Sequence, residues 1–455
     1  MFRSFMAHSR VFRSQKLSDY FMISSGTNQF PMPKMWKESM HMELESDFLY
    51  RWYTDSRGFQ CITSAVKVYE DYISGPSLDR LIRSRRKVCM ATGGCGAASA
   101  VFEYLEAAYG RCRVILAGMN YSLYERIAKK HRFPVQELRR ASNPDAIPLP
   151  ADFSQMEHFP EKPVFVFSVP NNPTGESYSI AEFSEIVAEI KRRKGFIVLD
   201  QVCNLIISKQ PLPLLEPVIT AHDYWHSCAV INSFSKTDAV AGLRLGYVYG
   251  EDALIQSCAA LNADTVMNPP TFPALPIVLT CLFRCMYLND LWSSPSLRAK
   301  LPLCFRRLFF LTSAVVPPAM DRYVHDIFDH LEDHYLQYVE EQLENEAVIH
   351  RNYEATCGVL KSHIQKISKC DGGFNFCIWF RWEFRMDQIS LIEKLIDSTG
   401  VAILTESSFS LNPVNGNWFL IRFSTACDPA KYTAALQRLK AFFESEAFVF
   451  EKCTD

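Results

Sequence analysis

The chain has 455 residues, which is enough for two or three domains at about 150 residues each. Apolar residues make up 48% of the sequence and charged residues 22%, an ordinary globular mixture that can fill a large core. The formal net charge of −2 supplies no overall basic field, so we expect neither a nucleic acid nor an anionic membrane as a partner.

The N-terminal stretch MFRSFMAHSRVFRSQKLS contains arginine and serine but no acidic residue. This composition is compatible with an organellar transit peptide. We favour the alternative, an arm that packs on the protein body or on a partner subunit. Farther along, the most apolar stretches, 273–288 and 301–320, are interrupted by proline and arginine, so we expect no membrane span.

Short apolar runs alternate with amphipathic stretches between residues 87 and 250. The runs that predict strands are KVCMAT, RVILAG, PVFVFSV, GFIVLD and CAVINSF. Strands that alternate with helices over this length predict an α/β fold, with a mostly parallel sheet covered by helices on both faces. Ligands bind such sheets beyond the carboxyl ends of the strands, so motifs at those ends carry the most weight.

The pattern changes after about residue 275. A long, largely helical region is followed by three further predicted strands, NFCIWFRW, VAILTES and NWFLIRFST. The stretch AKYTAALQRLKAFFESE, which follows these strands, predicts a further helix. We expect a second, smaller α+β domain here that wraps around the first.

A glycine-rich turn, ATGGCGAA (91–98), joins a predicted strand to a predicted helix. Small residues let the backbone approach an anion, and a helix N-terminus offers free N–H groups with a partial positive charge. The turn therefore predicts a single phosphate near Gly94, Cys95 and Gly96. Tight packing without a ligand is an equal alternative for this segment alone.

Three more segments place polar groups at predicted strand ends. VPNNPTGES (169–177) contains the turn signal Asn172–Pro173, and FIVLDQV ends a buried strand at Asp200, which must be paired or neutral there. SFSKTDAVAGLRLGY (233–247) sets Lys236 between an apolar strand and a segment rich in glycine and alanine. Partial burial would depress the pKa of this lysine and make its amine a nucleophile. Taken singly, the three segments are also consistent with a turn, a helix cap and a solvated lysine.

In order and spacing, these four segments resemble the fold-type I enzymes that depend on pyridoxal 5′-phosphate (PLP), specifically the aminotransferase class I/II family. The segment around Lys236 fits the family signature S-x-S-K followed by G-x-R-x-G. The resemblance covers roughly residues 24–445. It implies a large domain with a mostly parallel sheet between helices, plus a smaller α+β domain.

The resemblance also implies roles for individual residues. Lys236 would bind PLP as a Schiff base and later move a proton, and Asp200 would pair with the protonated pyridine nitrogen. Asn172 would bind the phenolic oxygen, with a cis bond to Pro173. Tyr121 would stack on the pyridine ring. The residues that would hold the phosphate are Gly94, Cys95, Gly96, Ser233, Ser235 and Arg244.

Further residues are assigned to the substrate and to a second subunit. Arg422, in FLIRFST, matches the arginine that binds the α-carboxylate of an amino-acid substrate through a bidentate fork. Asn28 and Asn172 are candidates for substrate contacts by position. Tyr53 resembles the tyrosine that reaches the phosphate of the neighbouring subunit's cofactor, which implies a homodimer with shared active sites.

The sequence departs from the family pattern in two places. The family usually carries tyrosine three residues after the ring-binding aspartate, whereas this chain has Cys203, whose thiol is a weaker donor. About 40 extra residues near 286–330 could form a lid, a cosubstrate site, an oligomer contact or a surface excursion. We therefore expect an arm with part of the small domain (1–50), a large PLP-binding domain (51–285), a helical insertion (286–340) and a small C-terminal α+β domain (341–455).

Three functions are compatible with this resemblance. The leading expectation is an aminotransferase that acts on an α-amino acid. The alternative, which Cys203 and the insertion favour, is a PLP-dependent lyase, cyclase or carbon–carbon bond-forming enzyme of specialised metabolism. A non-catalytic PLP sensor fused to a helix-turn-helix is not expected, because only some two dozen residues precede the family region.

The cysteines and histidines give no sign of a metal site. The fifteen cysteines are scattered without a Cys-x-x-Cys pair, and their odd number indicates reduced thiols, so we expect a cytoplasmic protein. His222 and His226 have i, i+4 spacing but no third ligand in the sequence around them.

Overall fold

A computed structural model describes residues 20–46, 53–75, 84–270, 272–292, 295–310, 317–381, 388–413 and 418–445. The α-helices in these ranges are α1 (Lys34–Glu45), α2 (Gln60–Ile73), α3 (Gly93–Tyr109), α4 (Ser122–Lys130), α5 (Pro150–Ser154), α6 (Ile180–Arg192), α7 (Glu216–Ala221), α8 (Phe234–Thr237), α9 (Asp252–Thr265), α10 (Leu275–Trp292), α11 (Pro295–Arg298), α12 (Leu301–Phe310), α13 (Pro318–Asp329), α14 (Leu331–Val359), α15 (Gln388–Thr399) and α16 (Pro429–Glu444). The strands are β1 (Lys87–Thr92), β2 (Cys112–Ala117), β3 (Val135–Leu138), β4 (Lys162–Ser168), β5 (Phe196–Asp200), β6 (Cys228–Ser233), β7 (Leu245–Gly250), β8 (Ile364–Ile367), β9 (Asn375–Arg381), β10 (Leu404–Thr405) and β11 (Trp418–Ser424).

The larger sheet contains seven strands in the order β1-β7-β6-β5-β4-β2-β3. Strands β2 to β6 run parallel to one another, while β7 is antiparallel to both of its neighbours, β1 and β6. The central strands β5 and β6 are apolar and buried along most of their length, as expected for strands covered on both faces. The predicted α/β architecture with a mostly parallel sheet is therefore confirmed.

Helices cover both faces of this sheet and form two cores. On one face, α3, α4 and α9 bury residues such as Phe102, Tyr124 and Ile255. On the other face, the larger core collects side chains from α1, α2, α6, α7, α10 and α12 to α14. The sheet is thus a layer between two helical layers, and its carboxyl edge is left as the place where side chains from several strands can meet.

The smaller domain is built on the antiparallel sheet β10-β11-β9-β8 with α15 and α16 packed against it. Phe21 forms a parallel bridge with Val401, so the described segment around Phe21 belongs to this domain. Helix α14 joins the two domains, because Leu331 and Tyr338 pack in the larger core and Tyr353 packs against the small-domain core.

The predicted insertion at 286–340 is part of the large-domain core in this structure. Its N-terminal boundary falls inside α10, and α12 packs against α2 and α10. Phe305, Phe309, Met320 and Val324 are buried in the same core as α2. In the described part of the chain, no helix is long and apolar enough to cross a membrane.

Phe305→Ala is expected to destabilise the protein by about 3–5 kcal/mol, because the side chain is fully buried and its removal leaves a cavity. Urea unfolding of the variant measures this loss. Leu303→Ala on the same helix removes an exposed side chain and serves as the control. A Phe305→Ala variant as stable as the control would show that the insertion is only a surface excursion.

Candidate functional site

A cavity of about 360 Å³ opens at the carboxyl edge of the large sheet. Strands β4, β5 and β6 end at Ser168, Asp200 and Ser233, and all three residues line it. Its size is within the range of about 300–1,000 Å³ that small-molecule pockets occupy. The residues singled out from the sequence that line it are Gly94, Cys95, Tyr121, Asn172, Asp200, Cys203, Ser233, Ser235, Lys236, Arg244 and Arg422.

Three other residues singled out from the sequence are not among those that line the cavity. Gly96 lies in the first turn of α3, where an added Cβ would sit 3.3 Å from Thr92 Cβ. Asn28 lies behind Lys236 and donates from Nδ2 to the lysine carbonyl oxygen at 2.7 Å. Tyr53 is 84% exposed, so its side chain is free to contact another molecule.

The glycine-rich turn brings a helix N-terminus to the cavity. Helix α3 starts directly after β1, and no side chain caps its first N–H groups. Gly93 has a φ of +67°, and a Cβ there would lie 2.5 Å from Arg244 Nη2. The Gly93 N–H donates to the Arg244 carbonyl oxygen at 2.8 Å, which fixes the arginine beside the turn. Free N–H groups and a guanidinium at one place fit a phosphate.

Lys236 lies in the short helix α8, which begins directly at the end of β6. Ser233 Oγ accepts a hydrogen bond from the Ser235 N–H at 3.0 Å. The Ser233 hydroxyl donates to the Leu245 carbonyl oxygen at 2.9 Å, and this bond holds the start of the turn against β7. Burial lowers the pKa of Lys236, and the nearby Arg422 charge acts in the same direction. A larger fraction of this amine is therefore neutral and nucleophilic than for an exposed lysine.

Asp200 is held by two donors at the end of β5. Tyr124 Oη donates to Oδ2 at 2.6 Å, and the Val202 N–H donates to Oδ1 at 3.0 Å. Burial raises the pKa of Asp200 despite these bonds. A cationic group such as a protonated pyridine nitrogen would stabilise the carboxylate in this position. Tyr124 was not predicted, although it stands three residues after Tyr121 on the first turn of α4.

Arg422 brings a buried cation to the cavity from the small domain. It lies on β11, and Nη1 donates to Asn172 Oδ1 at 2.8 Å while Nη2 donates to the Ser24 carbonyl oxygen. Its Cζ lies 4.7 Å from the ring centroid of Phe409. Burial lowers the pKa of Arg422 to about 10, and Nε has no hydrogen-bond partner among the described residues. A buried guanidinium with an unused donor fits a carboxylate ligand.

Asn172 and Cys203 line the cavity from the large domain. The prediction of a cis bond between Asn172 and Pro173 is wrong, because the cis bond in this segment is Val169–Pro170. The Asn172 amide oxygen accepts a hydrogen bond from Arg422, and Asn172 therefore links the two domains. Burial raises the pKa of Cys203 to about 11, and the side chain therefore remains a thiol, a weak hydrogen-bond donor.

The segment before α1 and one loop of the small domain complete the cavity wall. Ser25, Gly26 and Thr27 line it, as do Ser408 and Phe409 from the loop after β10. The Asn120 N–H donates to the Phe409 carbonyl oxygen at 2.9 Å, which holds this loop against the large domain. No local sequence motif marks these residues, because they reach the cavity only through the packing of one domain on the other.

Similarity to known proteins was found at the level of family and of fold. The model of the family "Aminotransferase class I and II" matches residues 19–281, which is more than half of the chain. A histidinol-phosphate aminotransferase of Lactococcus lactis subsp. cremoris is 29% identical over 143 residues, 31% of this chain and 35% of the relative. Kynurenine–oxoglutarate transaminase 1 of Homo sapiens is 22% identical over 267 residues, 56% of this chain and 60% of the relative.

The chain thus spans between about a third and three fifths of these curated relatives. The crystal structure of an aromatic aminotransferase from Pyrococcus horikoshii has the same fold, with a TM-score of 0.68 and 15% identity over 97% of this chain and all of that one. The match of the family model to the region that contains the glycine-rich turn, Asp200 and Lys236 identifies the chain as a member of the aminotransferase class I and II family.

Proposed function

We propose that this chain is a PLP-dependent aminotransferase that acts on an α-amino acid through Lys236. The observation that carries the proposal is that the Lys236 amine, the buried Asp200 carboxyl and the Arg422 guanidinium line a single cavity. These groups complement an aldehyde, a pyridine nitrogen and an α-carboxylate. The glycine-rich turn with Arg244 offers a place for the phosphate.

When bound, PLP supplies an electron sink that stabilises negative charge at Cα of the amino acid. Asp200 would bind the ring nitrogen, with Tyr124 and the Val202 N–H holding the carboxylate in place. Lys236 Nζ would hold the cofactor aldehyde through a covalent bond formed with loss of water, and it would carry the proton that leaves Cα once the substrate amine has displaced it from that bond. Its lowered pKa favours the neutral amine that both tasks require.

The relatives favour transamination over the alternative of a lyase, cyclase or carbon–carbon bond-forming enzyme. Both curated relatives described above are named as aminotransferases or transaminases, and the structure with the same fold is an aromatic aminotransferase. Leu123, Leu404 and Phe409 form an apolar part of the cavity wall, which supports an amino acid with an uncharged side chain as substrate.

The PLP-loaded protein is expected to convert an amino acid to its keto acid and to leave the cofactor in its amine form. Lys236→Ala should lower this rate by at least about 100-fold, since the group that moves the proton is lost. Absorbance of the bound cofactor and the released keto acid measure the reaction. In the unmodified protein, borohydride should fix PLP on the peptide that contains Lys236. Release of ammonium while the cofactor keeps its aldehyde form would indicate elimination and contradict transamination, and fixation of PLP in Lys236→Ala would contradict the role of the lysine.

Arg422→Lys is expected to raise the KM for the amino acid by about 10- to 100-fold with a smaller effect on kcat. The ammonium keeps the charge but cannot form the planar fork that binds a carboxylate. Arg438→Lys is a matched control, because Arg438 also lies over a ring, 4.6 Å from Phe21, and donates to a backbone carbonyl in the same domain. If both variants keep the original KM, Arg422 does not bind the carboxylate.

We also propose a homodimer in which Tyr53 contacts the cofactor phosphate of the other subunit. Two observations support this proposal. Tyr53 is 84% exposed, and the chain belongs to a family for which the resemblance implies active sites shared between subunits. The cytoplasmic location that was inferred from the cysteines stays a prediction.

Tyr53→Phe is expected to weaken PLP binding by about tenfold, because one hydrogen bond to a charged phosphate is lost. Mixing this variant with Lys236→Ala under subunit exchange tests sharing directly. A mixed dimer would contain one site with an intact Lys236 and an intact partner tyrosine, so PLP affinity at that site and activity should recover. No recovery in a mixture shown to contain mixed dimers would place Tyr53 outside the partner's site.

A further inference from the structure

A second buried charge stands two residues after Lys236. Asp238 is buried, and its Oδ2 lies 2.6 Å from Arg284 Nη2. Tyr338 Oη donates to Oδ1 at 2.6 Å, and Thr237 Oγ1 donates to Oδ2 at 2.6 Å. A buried carboxylate persists in the charged form only when it is paired in this way. None of these side chains other than the lysine is used in the proposed chemistry.

The partners of Asp238 come from two different helices of the large-domain core. Arg284 lies on α10, with its Cζ 5.8 Å from the ring centroid of Tyr69 and 5.6 Å from that of Phe234. Tyr338 lies on α14, and burial, together with the adjacent Asp238, raises the pKa of its phenol well above the usual value. The phenol therefore stays protonated and donates a hydrogen bond to the carboxylate. The short helix α8 is thus tied to both helices.

Helix α14 carries a second set of contacts at its other end. Asn352 lies fourteen residues, or about 21 Å, beyond Tyr338 on α14. Its Nδ2 donates to the carbonyl oxygens of Thr425 at 2.8 Å and Cys427 at 2.9 Å. These residues directly follow β11, the strand that contains Arg422. One continuous helix therefore contacts the turn of Lys236 and the end of the Arg422 strand.

We propose that Asp238 is a positioning residue for Lys236 and that Tyr338, with Arg284, fixes the lysine turn relative to α14 and so to the strand that carries Arg422. The proposal deepens the proposed function, because it rests on Lys236 as the residue that bonds to the cofactor. Asn28 adds a bond to the Lys236 carbonyl oxygen and lines the same small pocket as Arg284 and Tyr338.

Tyr338→Phe tests this proposal, because it removes the bond to α14 while the Asp238–Arg284 pair and the aromatic ring remain. Tyr335→Phe is the matched control on the same helix, where Tyr335 Oη donates to Asp290 Oδ2 at 2.7 Å, outside the cavity. The first readout is the pH dependence of reductive methylation of Lys236 in the cofactor-free chain. Formaldehyde with cyanoborohydride is the probe, and mass spectrometry of the Lys236 peptide measures the extent.

A loosened turn would expose the lysine amine to water and relieve the burial that lowers its pKa. The midpoint of methylation is therefore expected to rise by about one pH unit in Tyr338→Phe and to stay unchanged in Tyr335→Phe. The charged and titratable groups that act most strongly on Lys236 in the described chain are Cys95, Cys203, Arg244 and Arg422, and they are the same in both variants, as are Asp200 and Tyr121 in the same cavity.

The second readout is the kinetics of the PLP-loaded enzyme. Tyr338→Phe should lower kcat about tenfold, because proton transfer depends on the placement of Lys236, and should leave KM within about twofold. Asp238→Asn combined with Arg284→Met removes both charges together, so that no buried ion is left unpaired. Its methylation midpoint should rise at least as far as that of Tyr338→Phe.

Equal methylation midpoints in Tyr338→Phe, in the double variant and in the unmodified chain would overturn the positioning role, whatever their thermal stability. This readout needs no cofactor, so it is independent of the proposed function. An unchanged midpoint in an active aminotransferase removes the positioning role alone. A shifted midpoint in a chain that transaminates nothing supports the positioning role and contradicts the proposed function.

Discussion

The site depends on the burial of several charges in one small cavity. Lys236 and Arg422 are both cations in positions that disfavour charge, and the pKa of each is lowered, chiefly by burial. The Asp200 carboxyl is buried there as well, and its pKa is raised. Charges removed from water in this way are stabilised only by partners of opposite sign. A carboxylate for Arg422 and a cationic ring nitrogen for Asp200 would supply such partners, whereas an aldehyde would react with the neutral amine of Lys236.

These charged groups share one cavity because the two domains meet there. Lys236 and Asp200 belong to strand ends of the large sheet, whereas Arg422 belongs to the sheet of the small domain. The cavity exists only where these surfaces meet, and the bonds from Arg422 to Asn172 and from Asn120 to Phe409 cross that boundary. Any change in the angle between the domains would therefore move Arg422 relative to Lys236.

Much of the large domain could be predicted from sequence, because buried parallel strands are continuous apolar runs and their carboxyl ends are marked by polar motifs. Strand β7 was missed because LGYVYG follows directly on the Lys236 motif and was treated as part of it. Strand β3 is short and only partly buried, so it leaves little apolar signal. The cis proline was assigned to the wrong peptide bond because two prolines stand in VPNNP, and no local feature separates them.

Two residues of the site lie next to Lys236, Cys203 in space and Asp238 in sequence. Cys203 puts a thiol with a pKa of about 11 into the cavity wall, and Asp238 puts a paired carboxylate behind the lysine turn. Arg422, the proposed carboxylate-binding residue, is held instead by Asn172 and the Ser24 carbonyl oxygen. Because the Cys203 thiol in the cavity wall is a weak donor, we infer that the turn of Lys236 is held mainly by Asp238 and its partners behind it. Lys236 and Arg422 are therefore positioned by separate sets of contacts, the first by the residues around Asp238 and the second by Asn172 and the Ser24 carbonyl oxygen.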